Sequence, residues 1–164
     1  MITSKALYSF SSAWLTKTDR KRLDGFEAKC IRQILRIPPA FVSRVSNTCV
    51  LEKSEQAPCS SQLLRQQLLL FGKIGRLPNN HVLRKPTFEP DAVSPATRAC
   101  ERKRGRPKQE WAAELYKLAS PYFESAEYFM TAVADPLRWR SFVLDFINGI
   151  NNRDDNMAER ELHT

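Results

Sequence analysis

A run of cations around one glycine and one proline has the residue types and spacing to do chemistry, namely the binding of phosphate groups. It lies in ERKRGRPKQEW, residues 101–111. Gly105 has no Cβ, so the backbone can approach a groove floor, while Pro107 fixes φ and turns the chain away. Arg104 and Arg106 would then point along the narrow minor groove of A·T-rich DNA, whose negative potential attracts arginine. The flanking phosphates would be reached by the neighbouring cations, which are Arg102, Lys103 and Lys108.

The tetrapeptide Arg104-Gly105-Arg106-Pro107 resembles the core of the AT-hook motif, which also has basic flanks. If all six cations from Arg98 to Lys108 reached phosphates, the logarithm of affinity would fall against the logarithm of salt with a slope of about −5. Two other interpretations of this stretch stay open. One is general phosphate contact with RNA or DNA, and the other is a solvated linker that begins a helix at Trp111.

Residues for catalysis or metal binding are scarce. The two histidines, His81 and His163, lie beside a proline-rich stretch and next to the last residue, so no catalytic triad can be argued. There is no glycine-rich phosphate loop, no G-x-S-x-G elbow and no H-E-x-x-H pair. The four cysteines are irregularly spaced, without a C-x-x-C pair to begin a zinc site. We therefore expect no catalytic residue, no metal and no cofactor.

The charge distribution points to a polyanionic partner at the front of the chain. The 164 residues carry a net charge of +8, with a pI of about 9.6. Residues 1–85 hold 15 Lys and Arg against 5 Asp and Glu, whereas residues 109–164 hold 5 against 10. We therefore expect RNA or DNA as the partner of the front and middle, and possible protein contact through the C-terminal helices. No apolar run is long enough to span a bilayer and no secretory signal is evident, which predicts an intracellular, nuclear protein without membrane contact.

Apolar periodicity predicts an all-α fold. A first helix is indicated by an apolar stripe, with Thr18 as N-cap and Pro38-Pro39 as its stop. The stripe consists of Leu23, Phe26, Cys30, Ile31, Ile34 and Leu35. Cys30 is expected to be a small buried side chain on that stripe. Ser46 can cap a short helix through Leu51.

A longer helix is predicted over residues 61–77, where Leu64, Leu68, Phe71 and Ile74 form a stripe that leaves Arg65, Gln66 and Lys73 outside it. We expect phosphate contacts from five cations in and after this helix, which are Arg65, Lys73, Arg76, Arg84 and Lys85.

The domain organisation follows from the prolines. Residues 1–77 are predicted to form a basic helical module, and residues 78–107, with five prolines, a semi-extended basic linker. Residues 108–150 are predicted to form a smaller aromatic and acidic helical module. Its last helix has Asp135 as N-cap and Pro136 at the first position. The polar residues 151–164 are expected to be a frayed tail.

A wider resemblance rests on the order of several motifs, which include RLDGFEAKCIRQILRI, LLRQQLLLFGKIGRLP, GRPKQEW and DPLRWRSFV. In order and spacing, residues 7–143 resemble the region that follows the reverse transcriptase domain in non-long-terminal-repeat (LINE-type) retrotransposon polyproteins. The resemblance implies a helical thumb-and-linker segment that holds template RNA or target DNA. It also implies a fragment without the polymerase's catalytic aspartates or an endonuclease domain.

Two other classes of function stay open. In a helix-turn-helix regulator, the helix over residues 61–77 would enter the major groove with Arg65, Gln66 and Lys73 exposed. In a protein-interaction scaffold, the acidic aromatic back half would bind a protein and the chain would have little affinity for nucleic acid.

Overall fold

The fold is all-α. The computed structural model describes residues 7–8, 10–96 and 110–162, with side chains described as far as residue 150. Within those ranges it has no strand and one isolated antiparallel bridge, between Phe88 and Pro95. A 3-10 turn spans Ser120–Tyr122. The helices of the described residues are α1 (Lys17–Ile34), α2 (Ala40–Ser43), α3 (Asn47–Lys53), α4 (Cys59–Gly75), α5 (Trp111–Ala119), α6 (Ala126–Ala134) and α7 (Pro136–Leu162).

The chain divides into two compact units, and the division differs from the predicted one. Unit 1 consists of Met1–Ser11 and Leu15–Leu64, and unit 2 consists of Ser12–Trp14 and Arg65–Thr164. The boundary therefore falls inside α4 rather than after residue 77. A continuous helix gives no composition change at that point, so the sequence offers no signal for it.

Unit 1 is built on α1, whose start is set by a hydroxyl cap. Thr16, and not the predicted Thr18, is the N-cap: its Oγ1 accepts a hydrogen bond from the amide N–H of Asp19 at 3.2 Å and donates to the Asp19 carboxylate at 2.6 Å. Ser46 caps α3 as predicted, because its Oγ accepts from the Cys49 amide at 3.2 Å. Ile31 of α1 packs with Val50 and Leu51 of α3.

The face of α1 that packs inward coincides only in part with the predicted apolar stripe, of which Ile31 is buried and Leu23 is half-buried. Phe26 and Ile34 are exposed and Cys30 is half-buried, whereas the charged Glu27 and Arg32 are buried. Glu27 accepts a hydrogen bond from the backbone N–H of Cys59 at 2.6 Å, at the start of α4. This bond satisfies one carboxylate oxygen of Glu27, and apolar periodicity does not register such a distant partner.

An aromatic cluster forms the core of unit 2. Phe71 of α4 stacks on Trp139 of α7 at 6.0 Å between ring centroids, and it meets Phe88 edge-on at 4.9 Å. Phe129 of α6 meets Trp139 edge-on at 5.7 Å. The indole N–H of Trp139 donates to the backbone carbonyl of Leu68 at 2.8 Å. A Cβ at Gly72 would overlap the Trp139 ring, so glycine is what allows the two helices to approach so closely.

The described part of the predicted linker, residues 78–96, is folded. It makes consecutive turns, and its side chains Arg84, Phe88 and Val93 are buried. We therefore correct the expectation of a semi-extended, solvated connector for this part. Pro86 and Pro90 sit at turns and Pro95 pairs with Phe88 in the isolated bridge. The buried side chains of Phe88 and Arg84 supply contacts that a linker would lack.

Helix α7 begins as predicted and continues further than predicted. The Asp135 carboxylate accepts from the amide of Leu137 at 2.9 Å, and Pro136 occupies the first helical position. The backbone of residues 151–162, predicted to be frayed, continues the helix to Leu162.

Candidate nucleic-acid interface

The exposed face of α4 carries two of the predicted phosphate contacts. Arg65 and Lys73 are both exposed, as is Gln66, while the stripe of Leu64, Leu68, Phe71 and Ile74 is buried. Arg65 and Lys73 are eight residues apart in α4, which places them on one side of the helix with their backbones separated by about 12 Å along its axis. The helix thus presents two cations to solvent on one face.

Arg76, at the end of α4, is engaged within unit 2. Its Nη1 donates to the backbone carbonyl of Val133 at 2.9 Å, in the last turn of α6. Burial lowers the pKa of the Arg76 guanidinium from its ordinary value, and the charge of Asp135 opposes that shift. A cation at the carbonyl end of a helix is favoured by the helix dipole. Arg76 therefore ties α4 to α6, a role that the sequence did not predict.

Arg84 is buried, with 6% of its surface exposed, and its guanidinium is used within the fold. It donates to the backbone carbonyls of Gly75 and Ala92, the latter at 2.9 Å, and to the Asn79 side-chain oxygen at 2.9 Å. It also lies over the ring of Phe88, 5.8 Å from the centroid. We correct the prediction that Arg84 is a phosphate contact, because these partners hold its donors in the interior of the 78–96 segment.

Lys85 is exposed beside an open cavity of about 350 Å³. Arg84 and Phe88 line the same cavity, together with Asn79, Asn80, Glu89 and Pro90. Of the two predicted contacts Arg84 and Lys85, Lys85 is therefore the one whose side chain can reach a phosphate in solution.

The residues of the AT-hook-like stretch lie outside the described residues. They are Arg102, Lys103, Arg104, Gly105, Arg106, Pro107 and Lys108. Their contact with phosphate or with a minor groove stays a prediction.

The exposed charge differs between the two described stretches of chain. Residues 10–96 expose ten cations against three acids, whereas residues 110–150 expose three cations against four acids. The ten cations are Lys17, Lys21, Arg22, Lys29, Arg36, Arg44, Lys53, Arg65, Lys73 and Lys85. An excess of this size attracts polyanions, and it is confined to the front of the described chain.

One surface feature was not found by the sequence reasoning, and it lies in unit 1. It is formed by residues 34–44, called the 34–44 segment below. Its exposed side chains include Ile34, Phe41 and Val42 together with Arg36 and Arg44. Phe41 is 82% exposed. The available signal was the absence of any Asp or Glu from residue 28 to residue 51, combined with an aromatic residue just after two prolines.

The 34–44 segment is held from inside by a buried arginine. Arg32 is 6% exposed, and its guanidinium donates to the backbone carbonyls of Pro38, at 3.2 Å, and Val45, at 2.6 Å. It also donates to the side-chain oxygens of Ser43, at 3.3 Å, and Asn47, at 3.2 Å. The bonds to Pro38 and Val45 hold the backbone before and after α2, and the bond to Ser43 holds a side chain of α2 itself, so together they restrict where Phe41 is presented.

Within the described ranges, no three His, Cys, Asp or Glu side chains cluster in a way that could hold a metal ion. In the same part of the chain, no helix combines the length and the apolarity needed to cross a bilayer. The buried thiol is that of Cys59, whose pKa is raised to about 12 by burial first and then by the charges of Glu27 and Asp24. A thiol with so high a pKa is protonated at neutral pH and is a poor nucleophile.

Comparison with protein-family models, with curated proteins and with solved structures finds no match to this chain. Several residues behind the retrotransposon resemblance meet in the core of unit 2, where Phe71 contacts Trp111 and Trp139 and Gly72 faces the Trp139 ring. Packing therefore accounts for these residue types without reference to a bound partner.

Proposed function

We propose that the chain is a non-catalytic nucleic-acid-binding protein. The observation that carries the proposal is the exposed charge of residues 10–96, with ten cations against three acids. Sequence-independent binding to nucleic acid comes from cations that replace the counterions around phosphates. Arg65 and Lys73 on α4, together with Lys85, are exposed members of the predicted set, and we propose that they make such contacts.

We also propose that the chain derives from the post-polymerase region of a LINE-type retrotransposon polyprotein. This origin is supported by the order of the sequence motifs from the first helix to the Trp139-Arg140 pair. It implies that the nucleic acid is template RNA or target DNA, and that the protein acts by holding it. A nuclear location and a protein partner for the C-terminal helices belong to the same proposal. The protein partner is supported by Leu137 and Leu144, which are exposed and lie seven residues apart on α7.

The proposal is tested by titrating the full chain against fluorescently labelled nucleic acids and following anisotropy over a series of salt concentrations. We expect binding at low salt that weakens as salt rises. Replacing both Arg65 and Lys73 by Gln should make the slope for single strands shallower by about 1.4, which is two phosphate contacts at about 0.7 each. Arg140→Gln, an exposed cation in the acidic part of the chain, is the matched control and should leave the slope unchanged. Absence of binding to any nucleic acid at low salt contradicts the proposal.

The hook-like stretch is tested separately with A·T-rich and G·C-rich duplexes of equal length. A minor-groove hook predicts a preference for the A·T-rich duplex that is lost in Arg104→Ala and in Arg106→Ala. General phosphate contact predicts weaker binding to both duplexes without a change of preference. If neither variant changes affinity or preference, this stretch takes no part in binding.

A further inference from the structure

We propose that the 34–44 segment of unit 1 is a binding site for single-stranded nucleic acid, in which a base stacks on Phe41 while Arg36 and Arg44 contact the adjacent phosphates. The inference rests on the proposed function and names the class of nucleic acid that this surface takes.

The first argument is the exposure of an aromatic ring on a backbone that is held in place. Phe41 is 82% exposed and Val42 beside it is 60% exposed, although the buried Arg32 donates hydrogen bonds to their short helix and to the residues on both sides of it. An exposed ring on a fixed support loses little conformational freedom when a flat ligand stacks on it. Nucleobases stack on aromatic side chains in this way when a strand is unpaired.

The second argument is the backbone conformation of the two arginines. Arg36 follows the C-cap of α1 and Arg44 is the C-cap of α2, and both are in the left-handed region, with φ of 54° and 56°. Glycine is the usual residue at such a position because it has no Cβ to strain. The same conformation occurs at Glu55 and Asp91, so it does not by itself mark a site. What distinguishes the 34–44 segment is that both of its left-handed residues carry a positive charge and are exposed.

The third argument is charge complementarity, which selects the partner. No acid occurs from residue 28 to residue 51, while Lys29, Arg36 and Arg44 are exposed in that stretch. A ligand that suits this surface must carry repeated negative charge and flat apolar rings. A single strand has both on its outside, whereas a duplex keeps the faces of its bases inside the stack.

The test compares a labelled, unstructured oligonucleotide of about 20 thymidines with its duplex, a length chosen to exceed a typical single-strand site. Phe41→Leu keeps an apolar side chain but removes the ring. It should weaken binding to the single strand about fivefold or more, the lower end of the range for one stacked base, and leave the duplex unaffected. Phe41→Trp should retain single-strand binding. Tyr8→Leu is the matched control, because Tyr8 is equally exposed in unit 1 but lies outside the segment, and it should have no effect.

A second pair of variants separates charge from backbone strain. Arg36→Gly relieves the left-handed position and removes one phosphate contact, so the salt slope for the single strand should become shallower by about 0.7. Glu55→Gly relieves the same conformation at the end of α3, where φ is 54°, and should leave the slope unchanged.

The outcomes distinguish this inference from the proposed function. If the chain binds single strand and duplex equally, and Phe41→Leu changes neither, the inference is overturned while the proposed function stands. If no nucleic acid binds, both fail. If Phe41→Leu and the control Tyr8→Leu lower the affinity for the single strand equally, the site is not in this segment. If Phe41→Leu instead abolishes binding to anionic phospholipid vesicles and spares the oligonucleotide, the surface faces a membrane and the inference is overturned.

Discussion

Gly72→Ala is the sharpest perturbation of the architecture that supports the candidate interface on α4. A Cβ at this position would overlap Cδ1 and Nε1 of the Trp139 indole. Trp139 is fully buried and cannot swing aside. Its N–H also donates to the Leu68 carbonyl at 2.8 Å, so moving the ring breaks a hydrogen bond as well.

The magnitude follows from three contributions. Alanine in place of a helix-interior glycine ordinarily stabilises by about 1 kcal/mol. Overpacking a filled core costs about 1–3 kcal/mol, and loss of the Trp139 hydrogen bond costs about 0.5–1.5 kcal/mol more. We expect Gly72→Ala to lower the free energy of unfolding by about 0.5–3.5 kcal/mol, against the direction set by helix propensity.

Gly149→Ala is the matched control, because Gly149 is also helical, also belongs to unit 2, and has nothing within 4 Å of its would-be Cβ. It should stabilise by up to about 1 kcal/mol. Urea unfolding followed by tryptophan fluorescence reports on unit 2, since Trp14, Trp111 and Trp139 all belong to it. If Gly72→Ala is as stable as Gly149→Ala, the described packing of α4 against α7 is wrong.

Three further outcomes are expected. Arg84→Lys keeps the charge but cannot make all the hydrogen bonds of the guanidinium. Urea titration should therefore show a free energy of unfolding that is lower by about 2–3 kcal/mol. Unchanged stability would restore Arg84 as a candidate surface contact. Burial raises the pKa of Glu27 above its ordinary 4.5, against the opposing hydrogen bond from Cys59 and with help from the Asp24 charge. The stability contributed by that shift is complete below pH 4.5 and is lost as pH rises through the raised pKa. The free energy of unfolding of Glu27→Gln should therefore rise relative to that of the unmodified chain between acidic and neutral pH. A difference that does not change with pH would contradict this. Arg36→Gly and Glu55→Gly should each stabilise by up to about 1 kcal/mol, measured as the urea midpoint, and a loss in both would show that the left-handed positions are not strained.

Much of the helical framework could be predicted from the sequence because its signals are local. Ser46 and Asp135 act as N-caps through hydrogen bonds that span two or three residues, and the α4 stripe from Leu64 to Ile74 is buried as its period predicts. Such local signals leave the first residue of a helix uncertain by one or two positions. Thr16 and Thr18 both suit the N-cap of α1, and the structure has Thr16 there.

The incorrect inward face of α1 and the incorrect linker over residues 78–96 share one physical cause, which is the burial of charged side chains whose partners are distant in sequence. Glu27 is bonded to Cys59, and Arg32 to residues 6 to 15 positions away, so the inward face of α1 is partly charged and Phe26 turns outward. Arg84 similarly organises turns that the prolines alone indicated to be a linker. For the candidate interface, the sequence predicted the exposed Arg65 and Lys73 but could not separate them from the buried Arg84, because an arginine's role depends on what surrounds it.

The most direct test of the central claim is the anisotropy titration of the full chain with single-stranded and duplex nucleic acid across a range of salt concentrations. The account predicts binding at low salt, a slope that becomes shallower when Arg65 and Lys73 are both replaced by Gln, and no change for Arg140→Gln. Flat titrations at the lowest salt concentration, for RNA and DNA alike, would contradict it.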